Sequence, residues 1–306
     1  MMKAYQISIE EALEMIKSEE YSIEYKVDGS REHYVRGDLI SCRNVNHNTR
    51  YRHIYEALKN ALGNDDEIDG EVSLPIEMKS NVLELNKKCN WDKVIFYVFD
   101  CVKYDGLDLR SKPLFERQGI LRHIVGMVNS PYVVFIQQFG TLREGWDFVI
   151  KNDLEGLVVK KLDSRYETAL GKEYRSHSWL KIKNWKEGLD EIVGHNIGDT
   201  QKGSFRLSVG TNINCPDLET LREYTEALRE QKRIFAEFYY RFKTHTVHFV
   251  NGQSTTKNGF YTPILKRLVV VDTPFQLFRL LKEQVSMGMI SKEEFDKRIE
   301  IEHTNV

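Results

Sequence analysis

The sequence predicts an α+β protein in two parts with a helical tail, on three observations. Strand-like alternation and helical spacing interleave as far as residue 188. Five short strand-like segments with one interposed helix fill 189–272. Capped helical segments occupy 273–306.

Taken in order, Ser8 followed by Glu11 resembles a capping box, and Ala12, Met15 and Ile16 at helical spacing predict a helix over 8–18. From Tyr21 the period changes to two: Ile23, Tyr25 and Val27 alternate with Glu24, Lys26 and Asp28. This places Lys26 and Asp28 on one face, before a turn at Gly29-Ser30 and a strand near 32–35. A helix over 51–62, a strand over 94–99 ending at Asp100, a helix over 111–125, a strand over 132–136, a helix over 142–152 and a strand over 155–160 follow. Helices and antiparallel sheets account for this domain, 1–188. Past Lys186-Glu187-Gly188 the texture turns to strands at 191–196, 204–209, 234–242, 246–250 and 265–271, with a helix over 217–230, which predicts a small barrel of the oligonucleotide-binding type over 189–272. The polar stretch Asn251–Gly259 reads as a surface loop. In the tail, Thr273-Pro274 starts a helix and Gly288 stops it. Ser291 with Glu294 caps another, and Phe275, Phe278, Leu281 and Val285 form a stripe that needs covering.

At 306 residues, 41% hydrophobic and 29% charged, the chain has the composition of a folded globular protein, which excludes disorder and collagen-like structure. No apolar run approaches the roughly 20 residues that cross a bilayer, and the glutamate-rich start is unlike a secretory signal, so the expectation is a cytoplasmic protein without membrane contact. The four cysteines, Cys42, Cys89, Cys101 and Cys215, stand far apart, against a zinc ribbon or a disulfide framework. Net charge is −2, and Lys+Arg balance Asp+Glu in both parts, 28 against 30 in 1–188 and 16 against 16 in 189–306. Binding to nucleic acid must therefore rest on local clusters of cations.

The phosphate-binding loops, zinc-protease helix and serine-hydrolase signature are absent from the sequence. Five short elements occur in order instead: Lys26-Val27-Asp28-Gly29 with Arg31; Asp69-Gly70-Glu71; Phe99-Asp100; Glu155-Gly156-Leu157-Val158-Val159-Lys160; and Trp179-Leu180-Lys181-Ile182-Lys183. Alone, each reads as a solvated charge, a turn or an amphipathic strand. Together, in this order, they are hard to obtain by chance.

In these elements the sequence resembles the covalent nucleotidyltransferase superfamily, and within it the ATP-dependent DNA ligases of the compact phage and viral type, from about residue 20 to about 272. The resemblance implies an adenylation domain followed by an OB-fold barrel, with ATP as adenylate donor, Mg²⁺ as metal and nicked duplex DNA as the partner of a monomer. It makes Lys26 the adenylated nucleophile, with Asp28 orienting it or sharing the metal with Glu155. Glu71 would hold a ribose hydroxyl, Phe99 would stack on adenine, and Glu24 would select its amino group. Arg31 and Arg43 would grip ribose or the 5′-phosphate of a nick. An amine attacks phosphorus only when unprotonated, so Lys181 and Lys183 are expected to lower the proton affinity of Lys26 and to neutralise the α-phosphate.

The sequence departs from that pattern in two places. Arg43 follows Ser41 and Cys42 where the family has Ser directly before Arg, and Tyr261 and Val269 replace arginines near Pro263, leaving Lys266 and Arg267 as the cations for pyrophosphate or DNA. NAD⁺ is disfavoured as donor, because its ligases add a domain before the nucleophile and a four-cysteine zinc module. An RNA ligase, an mRNA-capping guanylyltransferase and a non-catalytic nucleic-acid clamp are the alternatives.

Overall fold

A computed structural model describes residues 2–78, 82–167, 174–196, 202–250 and 253–304. The chain divides into two compact units, Met1–Asn184 and Trp185–Val306. In chain order the first holds β1 (Met2–Ile7), α1 (Ile9–Met15), β2 (Tyr21–Tyr25), β3 (Ser30–Val35), β4 (Asp38–Ser41), α2 (Arg52–Ala61), β5 (Glu67–Ser73), α3 (Val82–Leu85), β6 (Ile95–Tyr104) and β7 (Leu107–Asp108). It continues through α4 (Leu114–Val128), β8 (Val133–Phe135), β9 (Gln138–Phe139), α5 (Leu142–Lys151), β10 (Gly156–Lys161) and β11 (Tyr174–Lys183).

These strands form two sheets. One has the order β1-β11-β10-β2-β9; the other has β4-β3-β5-β6-β7, with β8 beside β6. The expectation of antiparallel sheets needs correction, since β1 pairs with β11 and β8 with β6 in parallel. The strand expected to end at Asp100 runs on to Tyr104. Residues of one parity in the first sheet, Ile23, Tyr25, Leu157, Val159, Leu180 and Ile182, pack with Leu142 and Val149 of α5 and Ala12 of α1 into one core. The other parity is left for polar side chains. In the second sheet Tyr34, Ile68, Val72, Phe96 and Val98 join Ile54 and Leu58 of α2 and Leu121 and Ile124 of α4 in a separate core.

Two glycines let backbones approach. A β-carbon on Gly29 would lie 2.2 Å from the Val72 carbonyl oxygen, and one on Gly156 would lie 1.9 Å from that of Ile182. Gly156 also has φ +148°, open to glycine and little else. A fully buried ion pair ties α4 to β6: Arg117 donates to Asp100 at 2.7 and 2.8 Å and to the carbonyls of Lys112 and Ser164 at 2.6 and 2.9 Å.

The second unit holds β12 (Lys186–Asn196), β13 (Ser204–Leu207), β14 (Asn212–Asn214), α6 (Leu218–Arg229), β15 (Arg233–Tyr240), β16 (Lys243–Val250), β17 (Gln253–Phe260), β18 (Ile264–Val271), α7 (Pro274–Ser286) and α8 (Lys292–Thr304). Its main sheet has the order β14-β13-β12-β15-β18, and β16 and β17 pair as a two-stranded sheet. Among the described residues seven strands stand where five were expected. The stretch read as a loop, Asn251–Gly259, is strand from Gln253 onward, while 251 and 252 lie outside the described residues.

The tail starts as expected, with a capping box of Thr273 and Gln276. Its covered face is different. Leu277, Leu280, Leu281 and Gln284 are buried, whereas Phe275 is 75% exposed. Gln284, polar by type and outside the expected stripe, is buried because its amide donates to the Leu189 carbonyl at 3.0 Å.

Replacing Arg117 by Leu is expected to cost about 3–5 kcal/mol, because it strands the Asp100 carboxylate in the protein interior. Urea denaturation checks this, and a loss below about 1 kcal/mol would contradict it.

Candidate active site

The polar parity of the first sheet is arranged in three cross-strand rows. Glu24 of β2, Val158 of β10 and Lys181 of β11 form one row; Ser22, Lys160 and Trp179 form another. In the third, Lys26, one residue past β2, bonds through its amide N–H to the Gly156 carbonyl, and Gly156 pairs with Lys183. Since Gly156 has no side chain, the two lysines flanking it both reach the neighbouring carboxylate of Glu155. Lys26 Nζ lies 2.6 Å from Oε2 and Lys183 Nζ 3.6 Å from Oε1.

The second sheet supplies the other wall. Asp69 pairs with Asp100 but Gly70 with Val98, so Phe99 is an extra residue in β6, a bulge. The bulge resets the parity: Phe96, Val98 and Cys101 enter the core under α2 and α4, while Tyr97, Phe99 and Val102 contact the clusters on the other side. Phe99 meets Trp179 edge-on at 6.1 Å, with Lys160 Nζ 4.0 Å and the Arg31 guanidinium 5.4 Å from its ring centre. Arg31 is held in place by a fork onto Asp69, at 3.0 and 2.5 Å, and by the Met2 carbonyl at 2.6 Å. Tyr166 donates to the same Asp69 carboxylate at 2.7 Å.

Between these walls lies a cavity of about 320 Å³. Glu24, Lys26, Arg31, Glu71, Phe99 and Lys181 line it, together with Lys3, Lys160, Arg175 and Trp179. Its electrostatics correct one expectation. Burial lowers the proton affinity of Lys26, but the carboxylates of Glu155, Glu71 and Asp28 outweigh it, and the pKa is raised above that of an ordinary lysine. Lys181 carries the depression instead. Burial, then Lys183, Arg175 and Lys26, bring it down to about 8. Burial pushes Glu71 up to about 8, with Glu155 and Asp69 adding to the rise and Lys26 and Arg31 opposing it. Asp69 is held below the usual carboxylate range: burial would raise it, but Arg31 and Tyr166 prevail.

Glu155, Glu71 and Asp28 all act on Lys26, and carboxylate oxygens are the donors that magnesium takes one or two at a time, with water and phosphate completing its shell. Among the described residues no cluster of three or more His, Cys, Asp or Glu is close enough to hold a metal by itself. Nor is any helix among them long and apolar enough to cross a membrane.

Of the expected residues, Asp28, Glu155 and Lys183 act beside Lys26 without lining the cavity, and Arg43 and Arg267 stand apart from it. Arg43 is exposed in the turn after β4, and its neighbour Cys42 lines the wall instead. Arg267 lies on β18 in the second unit and pairs with Glu237, its Nε donating at 2.8 Å. Sequence reasoning missed Asp69, Tyr166, Arg175 and Lys160 as parts of the site. Lys160 closes the E-G-L-V-V-K element and so was within reach; Tyr166 carries no motif.

The model of the ATP dependent DNA ligase domain matches residues 1–183, and the chain belongs to that family. It is 28% identical over 195 residues to the SPbeta prophage-derived DNA ligase-like protein LigB of Bacillus subtilis, covering 61% of this chain and 69% of that one. Identity to DNA ligase 1 of Drosophila melanogaster is 27% over 281 residues, 76% of this chain but 37% of the fly protein, so the chain spans well under half of that larger relative. The fold is like that of the ligase domain from M. tuberculosis LigD, with TM-score 0.53 at 17% identity, covering 89% of this chain and 97% of that one.

Two outcomes follow from the electrostatics. In Glu155→Gln, Lys26 should titrate below its value in the parent, because its strongest carboxylate partner is gone. The pH dependence of acetylation at Lys26, followed by mass spectrometry, reads this; an unchanged or higher midpoint would contradict it. For Lys181, whose folded value near 8 lies below its ordinary 10.5, the unfolded chain binds more protons between those pH values, so this group's contribution to stability rises with pH across that window. Lys181→Met should flatten that part of the stability–pH curve, and a curve parallel to the parent's would count against it.

Proposed function

We propose that the chain is an ATP-dependent DNA ligase that seals nicks bearing a 3′-hydroxyl and a 5′-phosphate through an AMP carried on Lys26. The observation that carries this reading is the Glu155 carboxylate shared by Lys26 and Lys183 at the edge of a cavity large enough for a nucleotide. Family membership and the DNA ligase names of its relatives support it.

In the resting protein Glu155 keeps Lys26 as an ammonium. Glu155 with Asp28 would hold Mg²⁺, which when bound supplies neutralising charge at the phosphates. Once Glu155 turns away from Lys26, the strongest group opposing burial is gone, and burial with the neighbouring cation Lys181 lowers the proton affinity of Lys26. The neutral Nζ attacks the α-phosphorus of ATP: an N–P bond forms, the bond to pyrophosphate breaks, and the amine proton leaves to solvent. Lys181 and Lys183 neutralise the charge gathered on the α-phosphate. Phe99 offers its ring to adenine, Glu24 its carboxylate to the 6-amino group, and Glu71 and Arg31 their polar heads to the ribose. AMP then passes to the 5′-phosphate of a nick, freeing Lys26, and the adjoining 3′-hydroxyl displaces AMP.

The second unit, Trp185–Val306, is in this reading an OB-fold barrel with a helical extension, and it holds the duplex. Arg43, with no cavity role, would meet the nicked strand from its exposed turn. Arg267, with Lys266, serves the departing pyrophosphate or the DNA after exchanging its Glu237 partner. A monomer acting in the cytoplasm fits this chemistry.

Incubated with ATP and Mg²⁺, the parent should gain the mass of one adenylate, and Lys26→Ala should not. On nicked duplex DNA the variant should join strands at least roughly 10³-fold more slowly. An adduct that persists in Lys26→Ala, or a parent that never acquires one, would overturn the proposal. Faster joining of nicked RNA than of nicked DNA would move the substrate to RNA.

A further inference from the structure

We propose that Gln118 is a positioning residue for nucleotide choice: from α4 it fixes the Glu24 carboxylate at the base end of the cavity so that only a hydrogen-bond donor is accepted there. The inference rests on the reading of Lys26 as nucleotide carrier and names what selects the nucleotide.

Glu24 is 2% exposed yet lines the cavity. Two hydrogen bonds and an ion pair hold it. Ser22 Oγ and Gln118 Nε2 each donate to Oε1 at 2.8 Å, and Lys160 Nζ pairs with Oε2 at 2.6 Å. An amide can present either its oxygen or its nitrogen, so the question is what makes Gln118 present nitrogen. The answer lies further along the same chain of hydrogen bonds. The Arg122 guanidinium, which can only donate, bonds to the side-chain oxygen of Gln138. That turns the Gln138 amide nitrogen inward, where it donates to the Gln118 oxygen at 3.0 Å and to Ser22 Oγ at 2.6 Å. With its oxygen engaged, Gln118 has only its NH₂ for Glu24. The Ser22 hydroxyl, accepting from Gln138, likewise has its proton for Glu24. Every bond therefore points one way, from a guanidinium at the surface to a carboxylate in the cavity.

An ionised carboxylate offers about four acceptor sites; two hydrogen bonds occupy Oε1, and the Lys160 ammonium stands beside Oε2 as an ion pair. The remaining capacity of Glu24 faces a ligand as acceptor only. A purine with a 6-amino group satisfies it, whereas a purine with hydrogen at C6 leaves it unused and one with a 6-oxo group sets oxygen against oxygen. Gln138 pairs with Glu24 in the β2–β9 ladder, so the orienting chain and the reading residue are fixed to one sheet edge. Sequence gives no hint of this, since Gln118 and Gln138 belong to none of the five motifs.

The test uses adduct formation on the full chain with two probes, ATP and purine riboside triphosphate, which carries hydrogen at C6. The parent should favour ATP. Gln118→Leu should raise KM for ATP about tenfold, leave KM for the 6-H analogue and the maximal rate within about twofold, and so abolish the preference. Ser22→Ala, which removes the other donor to Oε1, should act the same way and carries the test if Gln118→Leu does not fold. Equal losses with both nucleotides, or no loss with either, would overturn the proposal. A parent that forms adduct but does not favour ATP would also overturn it while leaving Lys26 in its role. A parent that forms no adduct with either nucleotide would instead defeat the underlying reading.

Discussion

The site depends on one carboxylate placed between two amines. Glu155 can be reached by both Lys26 and Lys183 because the residue between them in the cross-strand row is glycine, and because that glycine's backbone has a conformation other residues rarely adopt. This contact fixes where the Lys26 amine sits and raises its hold on its proton. In the proposed reaction a lysine held in this way would be stored in an inert form, its reactivity conditional on what Glu155 does next. On that proposal the cavity would couple nucleotide arrival to activation, without a separate base.

Around that contact the two sheets divide the work. The first presents cations and Glu24 on a single face by simple alternation. The second needs a bulge to do so, since without the extra residue at Phe99 the ring and the Asp100 carboxylate could not both turn away from the core under α2 and α4. Asp100 then meets Arg117, while Asp69, on the strand opposite, forks onto Arg31. Rigid ion pairs deep in the structure thus set the positions of side chains that would touch the ligand.

Much of this was legible in the sequence. Alternation in 21–28 placed Lys26 and Glu24 on one face, and the five short motifs named most of the cavity wall. What was hidden depends on long-range geometry. The protonation of Lys26 is decided by a partner 129 positions away. The parallel pairing of β1 leaves no mark on composition, and a bulge exists only as a mismatch of register between two strands. The polar residues of β17 predict a loop, yet pairing with β16 satisfies its backbone whatever its side chains. On α7 the buried face was shifted because a glutamine that hydrogen-bonds inward counts as polar in any hydropathy pattern.

The most direct test of the central claim is the titration of the Lys26 ζ-nitrogen, followed by NMR of protein carrying ¹⁵N-labelled lysine, alone and with a non-hydrolysable ATP analogue and Mg²⁺. In the free protein this nitrogen should stay protonated beyond the pH at which an ordinary lysine loses its proton, and the analogue should move its midpoint to lower pH. A midpoint already depressed in the free protein, or one that the analogue leaves unmoved, would contradict the account.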